Sequence, residues 1–225
     1  MSELLREAGL IARKDLLIEW RSRVAVNQIA PLGMLVLVVF AFALDANQSL
    51  LDRASAGLFW VAVLFAGIIT VQRAFTLESE HGIRDALRLS GIRPAAMFLG
   101  KLAAISIQLF VLEVVLLFGV VAMYDATVEE PLLAVVTAGT GTLAFSAVGC
   151  IYGAVSLGLR ARETLLPLLL IPVVAPVLLA GTRALERALG VSTQAGWNWV
   201  GLLVVVSAIY TAIGLAVFGP LLEDG

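Results

Sequence analysis

Six apolar stretches, at about 26–44, 56–75, 96–122, 132–157, 165–181 and 197–219, limit what this chain can fold into more than any other feature. A helix rises about 1.5 Å per residue, so about 20 residues cross a hydrocarbon core about 30 Å thick. In lipid every backbone N–H and C=O must find its partner within the protein, which leaves only helices and closed barrels. Barrel strands alternate apolar and polar residues, and the run from Leu32 to Leu44 does not. Composition agrees, because only 14% of the residues are charged, against about 25% in soluble domains. The sequence therefore predicts an all-α integral membrane protein, with six transmembrane helices in a single domain, residues 1–225.

The basic residues orient those spans. Of the 15 Lys and Arg, 12 fall before the first span, around the loop between spans two and three, or between spans four and five. Only Arg53, Arg183 and Arg187 fall on the other side. The positive-inside rule then puts both termini in the cytoplasm. Trp60, Tyr124, Trp197 and Trp199 are expected near the outer ends of spans, where amphipathic rings favour the interface. Glu3, Arg6, Glu7, Arg13 and Lys14 interrupt the first residues, so a cleaved signal peptide is not expected there, and the first span would serve as the insertion signal.

Several function classes are disfavoured. A net charge of −2 gives no basic footprint for nucleic acid. The chain has no phosphate loop for ATP, no zinc or haem-attachment motif and no acid–base–nucleophile set. Neither a catalytic nor a metal site is expected. Gly139-Thr140-Gly141 and the Gly149/Gly153 pair lie within spans, where small residues let helices approach closely. His81 has no second ligand nearby, and Cys150 reads as a small buried hydrophobe.

Three features invite a functional reading. Glu113 is an acid deep within a span, and such groups are costly unless sheltered. It reads equally as a functional group or as a carboxyl bonded to a Ser or Gln such as Ser106 or Gln108. Pro167, Pro172 and Pro176 crowd span five, where each removes a backbone donor and favours a kink or break. Such a helix serves as a passive kink, a hinge or the lining of a path between subunits. The third feature is the loop at 76–95, which carries Glu78, Glu80, Gly82, Asp85, Leu87 and Leu89. Gly82 offers a break, Ile83 to Leu89 read as a short amphipathic helix, and Gly91 with Pro94 ends it. Acidic groups beside apolar anchors suit a helix that docks on another protein, although a solvated interfacial helix has the same pattern. The segment 2–23 is too charged to span. Leu4, Leu5, Ala8, Ile11 and Ala12 share a face opposite Arg6, Arg13 and Lys14, which suits a helix lying in the membrane interface.

At the 76–95 loop the sequence resembles the ABC-2-type exporter permeases, through Glu78-x-Glu80-x-Gly82, Leu87, Leu89, Pro94 and Gly100-Lys101. It departs from the commoner pattern at Ile83, Arg84 and Asp85. The resemblance implies a type V exporter-like fold of six spans, an N-terminal interfacial helix and a cytoplasmic coupling helix seated on a separate ATPase subunit. A narrower resemblance runs through Pro31, Ala56-Gly-Leu-Phe-Trp-Val-Ala and the block from Arg162 to Pro172 with Pro176. There the chain is similar to the haem-exporter permease subunit of cytochrome c maturation.

That resemblance implies a bacterial or archaeal cytoplasmic membrane and two permeases with two ATPase subunits. It further implies a haem-handling multispan protein, a small one-span protein and a periplasmic haem chaperone, whose loaded form is released on ATP hydrolysis. ATP and haem would be handled by those partners rather than by this chain. Among possible haem ligands, Met123 and Tyr124 are the ones expected near the outer surface. Trp197-Asn-Trp199 echoes a tryptophan-rich haem motif but suits an interface belt equally. The alternative is an ABC-2 permease for another cargo, such as a lipid, glycan or drug.

Overall fold

The structure, a computed structural model, describes residues 2–44, 47–80, 92–156 and 162–224. Among these residues it is all-helical. Helix α1 spans Ser2–Ser22, and a short π-helix, Ala25–Ile29, leads into α2, Ala30–Ala43. Then follow α3 (Gln48–Glu80), α4 (Pro94–Tyr124), α5 (Pro131–Ser156), α6 (Arg162–Ala188) and α7 (Gly196–Asp224). Pro31, Pro94 and Pro131 stand in first turns, where the missing N–H has no intrahelical partner to lose. Asp125, with φ 54°, turns the chain out of α4. Gly190 does the same after α6 at φ 73°, a conformation that side chains rarely adopt.

Five helices, α3 to α7, are long and apolar enough to cross a membrane. The expected first span is different. Helix α2 has only 14 residues, about 21 Å of rise, and is joined to α1 at a bend of 57°. Counting that bent pair as one span brings the number to six. The bend has a local cause: Arg23 is left-handed at φ 54°, and the π-helix follows it directly.

Helix α3 is the most buried of the spans and touches α2, α4, α5 and α6. In its apolar stretch 67% of residues are buried, against 22% for α7 at the periphery. Helices α3 and α5 run parallel and interlock every four residues. Phe145 fills the notch at Gly67, Val71 that at Gly149 and Phe75 that at Gly153. The Gly149/Gly153 pair therefore does the packing expected of small residues in lipid, where shape rather than hydrophobicity holds helices together.

Two aromatic assignments are corrected. Trp60 does not sit at an interface. It is 1% exposed, and its indole is wedged between Gly141 of α5 and Gly181 of α6. Tyr124 is fully buried, and its hydroxyl donates to the Leu37 carbonyl at 2.8 Å. Both rings fill gaps among helices, which a sequence pattern cannot separate from an interfacial belt. Trp197, in the first turn of α7, is exposed as expected. The prolines do not break span five: α6 is continuous through Pro167, Pro172 and Pro176. Pro172 and Pro176 lie on its exposed side, away from the buried stripe of Leu166, Leu170, Val174 and Val177.

Candidate functional site

Helix α1 packs on the first turns of α4 and is tied by charge to both α4 and α3. Glu7, Asp15 and Glu19 recur at spacings of eight and four, which places them on one helical face. Each meets a cation on the bundle. Arg93 donates to Glu7 through Nε and a terminal nitrogen, both at 3.2 Å. Lys101 Nζ lies 3.5 Å from Asp15, and Arg73 Nε lies 3.1 Å from Glu19. The Arg93 guanidinium holds the Glu7 carboxyl below the usual carboxylate range, and Glu7 in turn raises Arg93.

The central pair is the most enclosed. Lys101 is 1% exposed, donates to the Ala74 carbonyl at 3.0 Å and sits 4.7 Å from the centre of the Phe75 ring. Beside it, Gly100 is where α1 and α4 cross. A Cβ there would stand 2.6 Å from Ile11 Cβ and 2.7 Å from the Ala8 carbonyl oxygen. The Gly100-Lys101 pair is thus a helix crossing, with one residue allowing the approach and the other pinning it. Glu19 has a second duty, because its other oxygen accepts from the Ala25 N–H at 2.6 Å and so braces the bend between α1 and the π-helix.

Chemically this is a mechanical joint rather than a reactive centre. It ties one helix to both helices that lead into and out of the 76–95 loop. Glu78 and Glu80 belong to the last turns of α3, but their side chains lie outside the described residues, as do Gly82, Asp85, Leu87, Leu89 and His81. The expected helix between Ile83 and Leu89 lies outside them too.

The acidic anchors of α1 were missed in the sequence reading, though a signal for them exists. Glu7, Asp15 and Glu19 share the face of Ala8 and Ile11. Acids on the apolar face of an interfacial helix are wrong for anionic headgroups and right for basic helix ends. The structure buries Ala8 and Ile11 against the protein while Leu5, Leu10, Leu17 and Trp20 remain exposed. The apolar stripe read for lipid is therefore partly a protein contact.

Glu113 forms a second polar point, midway along α4. It is 1% exposed and accepts from the Thr142 hydroxyl of α5 at 2.7 Å, so its partner is neither Ser106 nor Gln108. Cys150 is fully buried in the core. Among the described residues no group of three potential metal ligands comes together. At the far end of the bundle, Glu129 and Glu130 N–H groups donate to the Ala188 carbonyl, and Arg187 pairs with both carboxylates. This closes the last turn of α6 onto the α4–α5 connection.

Sequence comparison gives these features a family context. Residues 7–219 match a sequence model described as CcmB protein. The chain is 28% identical over 210 residues to a protein of Pseudomonas aeruginosa named Heme exporter protein B, covering 92% of this chain and 93% of that one. It is 28% identical over 211 residues to the protein of that name in Haemophilus influenzae, covering 93% and 92%. It is 30% identical over 196 residues to that of Paracoccus denitrificans, covering 82% and 83%.

Proposed function

From the premise that this chain belongs to the CcmB protein family, we propose that it is the membrane permease subunit of an ABC-type haem exporter serving cytochrome c maturation. The observation that carries this is the extent of the likeness, which runs through α1 and every span rather than one motif. The chain itself is a multi-pass membrane protein. We read six crossings, the first made of the π-helix and α2 together. Residues 25–43 are 19 in number, about 28 Å of helical rise, close to the hydrocarbon thickness.

In this reading the membrane is the bacterial or archaeal cytoplasmic membrane, with both termini inside, because 12 of the 15 basic residues fall before the first span, around the loop between spans two and three, or between spans four and five. ATP is hydrolysed by a separate ATPase subunit, which takes the 76–95 loop through Glu78, Glu80 and Asp85 and the apolar anchors Leu87 and Leu89. Two copies of this chain stand with two ATPase subunits. A multispan haem-handling protein, a small one-span protein and a periplasmic haem chaperone complete the assembly. Haem and ATP are held by those partners, and this chain transmits force. The joint at Glu7, Asp15 and Glu19 supports that division, since it ties α1 to the helices on both sides of the loop.

The test is made in the native host. Deleting the gene should abolish c-type cytochromes on haem-stained gels, and the tagged chain should restore them and bring an ATPase subunit with it on purification. The variant Glu80→Lys should insert normally yet lose the ATPase from the purified complex. Normal cytochromes in the deletion strain would overturn the haem reading. Full ATPase recovery with Glu80→Lys would overturn the role given to the loop.

A further inference from the structure

Helix α1 carries no net charge as a sequence, with four acids and four bases, but the fold sorts them. Glu7, Asp15 and Glu19 turn inward to Arg93, Lys101 and Arg73. Arg6, Arg13 and Arg21 are exposed on the side turned away from the bundle, and Glu3, in the first turn, is the acid outside this pattern. Among the described residues neither Arg13 nor Arg21 makes an ion pair. With its acids engaged by the bundle, the helix presents a basic face that the residue count conceals.

Apolar side chains are set among those cations. Arg6, Leu10, Arg13, Leu17 and Trp20 follow one another in steps of four, three, four and three, with Arg21 beside them, which is the spacing of a single helical face. Leu17 is 44% exposed, Leu10 59% and Trp20 83%. In water such a row is unfavourable. In a headgroup layer it is not, because the ring and the leucines enter the upper acyl region while the arginines reach phosphates.

Depth places this face in that layer. Helix α4 has 31 residues, about 46 Å of rise against about 30 Å of hydrocarbon, so about 8 Å stands outside at each end. Gly100, where Ile11 crosses α4, is two turns into that helix and so close to the boundary. Residues 13–21 run on from there toward the first crossing, which begins at Ala25. We propose that the outward face of α1 binds the headgroups of anionic phospholipids, with Arg13 and Arg21 on phosphate and Leu17 and Trp20 among the acyl chains. A zwitterionic headgroup brings its own cation to the same arginines, so the face selects net negative charge. Lipid thus holds α1 from outside, as the bundle's cations hold its acids from inside. The proposal rests on the membrane reading and not on the export reading.

The full chain with its copurifying subunits, in vesicles of phosphatidylcholine containing about one quarter phosphatidylglycerol, allows a direct test. Leu17 is replaced by photoreactive benzoylphenylalanine and so, separately, is Phe118, which is exposed on the apolar stretch of α4 away from α1. After illumination, adduct masses give the share of each lipid captured at each position. At Phe118 the adducts should follow the composition of the vesicle. At Leu17 the ratio of phosphatidylglycerol to phosphatidylcholine should be at least about threefold higher, since each exposed arginine attracts negative headgroups. Arg13→Gln combined with Arg21→Gln should return the Leu17 ratio to that of Phe118 and leave elution on size-exclusion chromatography unchanged.

Equal ratios at Leu17 and Phe118 would overturn the proposal, and so would a raised Leu17 ratio that survives the loss of both arginines. A protein adduct in place of lipid at Leu17 would overturn it too, and would give the face to a partner subunit. Salt supplies a second reading with both arginines intact. Raising it from about 0.1 M to about 1 M shortens the screening length from about 10 Å to about 3 Å. The Leu17 ratio should then fall toward that of Phe118, and a ratio indifferent to salt would overturn recognition by charge.

Discussion

The α1 end and the middle of the bundle hold helices together by different means. At the α1 end charge is added to the crossing of Ile11 over Gly100: three acids of α1 meet Arg73, Arg93 and Lys101 through long side chains. In the middle the grip is shape: aromatic and branched side chains of one helix fill glycine notches of the next. The difference follows from the solvent. Near water, an ion pair can be exchanged for hydration at small cost, so such joints move. In lipid, neither charge nor hydrophobicity separates helix from solvent, and only close packing does. The protein therefore has a stiff core on which an adjustable joint is mounted.

The sharpest way to break this comparison is to fill a notch. A Cβ at Gly141 would stand 2.3 Å from the Trp60 ring, and one at Gly181 would stand 2.4 Å from it. Gly141→Val should therefore abolish the folded, monodisperse protein on size-exclusion chromatography, whereas Gly201→Val, with nothing within 4 Å, should not. Emptying the same place is milder. Trp60→Ala should cost about 3–5 kcal/mol, as large-to-small core changes do, read as a lowered melting temperature in detergent. A tolerated Gly141→Val would show that the core is as adjustable as the joint.

The next effect down lies at the enclosed member of the joint. Asp15→Leu removes the acid that stands 3.5 Å from the buried Lys101 ammonium and keeps the bond to the Ala74 carbonyl. Removing one partner of a buried pair costs about 3–5 kcal/mol, and the retained carbonyl places this case at the lower end. Lys101→Met, which removes the charge and keeps the stem, should restore most of the loss in the double variant. Melting temperatures of the two single variants and the double one measure this. Additive losses would mean that the pair is incidental to how α1 is held.

The same contrast explains what the sequence discloses. Apolar length is a property of single segments, so α3 to α7 are readable from residue order, and so is the role of Gly149 and Gly153. Partners across helices are not. Nothing near Glu113 in the chain names Thr142, and nothing near Trp60 says that two glycines from two other helices enclose it. The bend ahead of the first crossing is not legible, because it arises at Arg23 and the π-helix, a backbone event with no apolar signature. The joint lay in plain view as acids at 7, 15 and 19, but their meaning needs the basic ends of α3 and α4 beside them. Apolarity shows where a helix is; the polar residues that interrupt it show what the helix touches.

The smallest effect tests the adjustable end of the joint, at Glu7 and Arg93. This pair is open to water, so its worth is low and easily changed. The carboxyl is held below its usual range chiefly by the hydrogen bond from Arg93. A group whose folded pKa is depressed adds stability that is present above its unfolded pKa and disappears as the pH falls through the folded one. The unperturbed value is 4.5. The start of α1 should therefore be fully seated at neutral pH, and should loosen as the pH falls below that value. Amide hydrogen exchange over residues 3–12, compared with the α3–α5 core at the same pH, reads this directly. Protection, corrected for the slower intrinsic exchange in acid, should fall at the start of α1 while that of the core is unchanged. In Glu7→Gln it should already be lowered at neutral pH and respond less to acid, because the titrating group is gone. Raised salt should act in the same direction as acid, since screening weakens an exposed pair and leaves a glycine notch untouched. If α1 and the core responded alike to acid and to salt, the distinction between a joint held by charge and a core held by shape would fail.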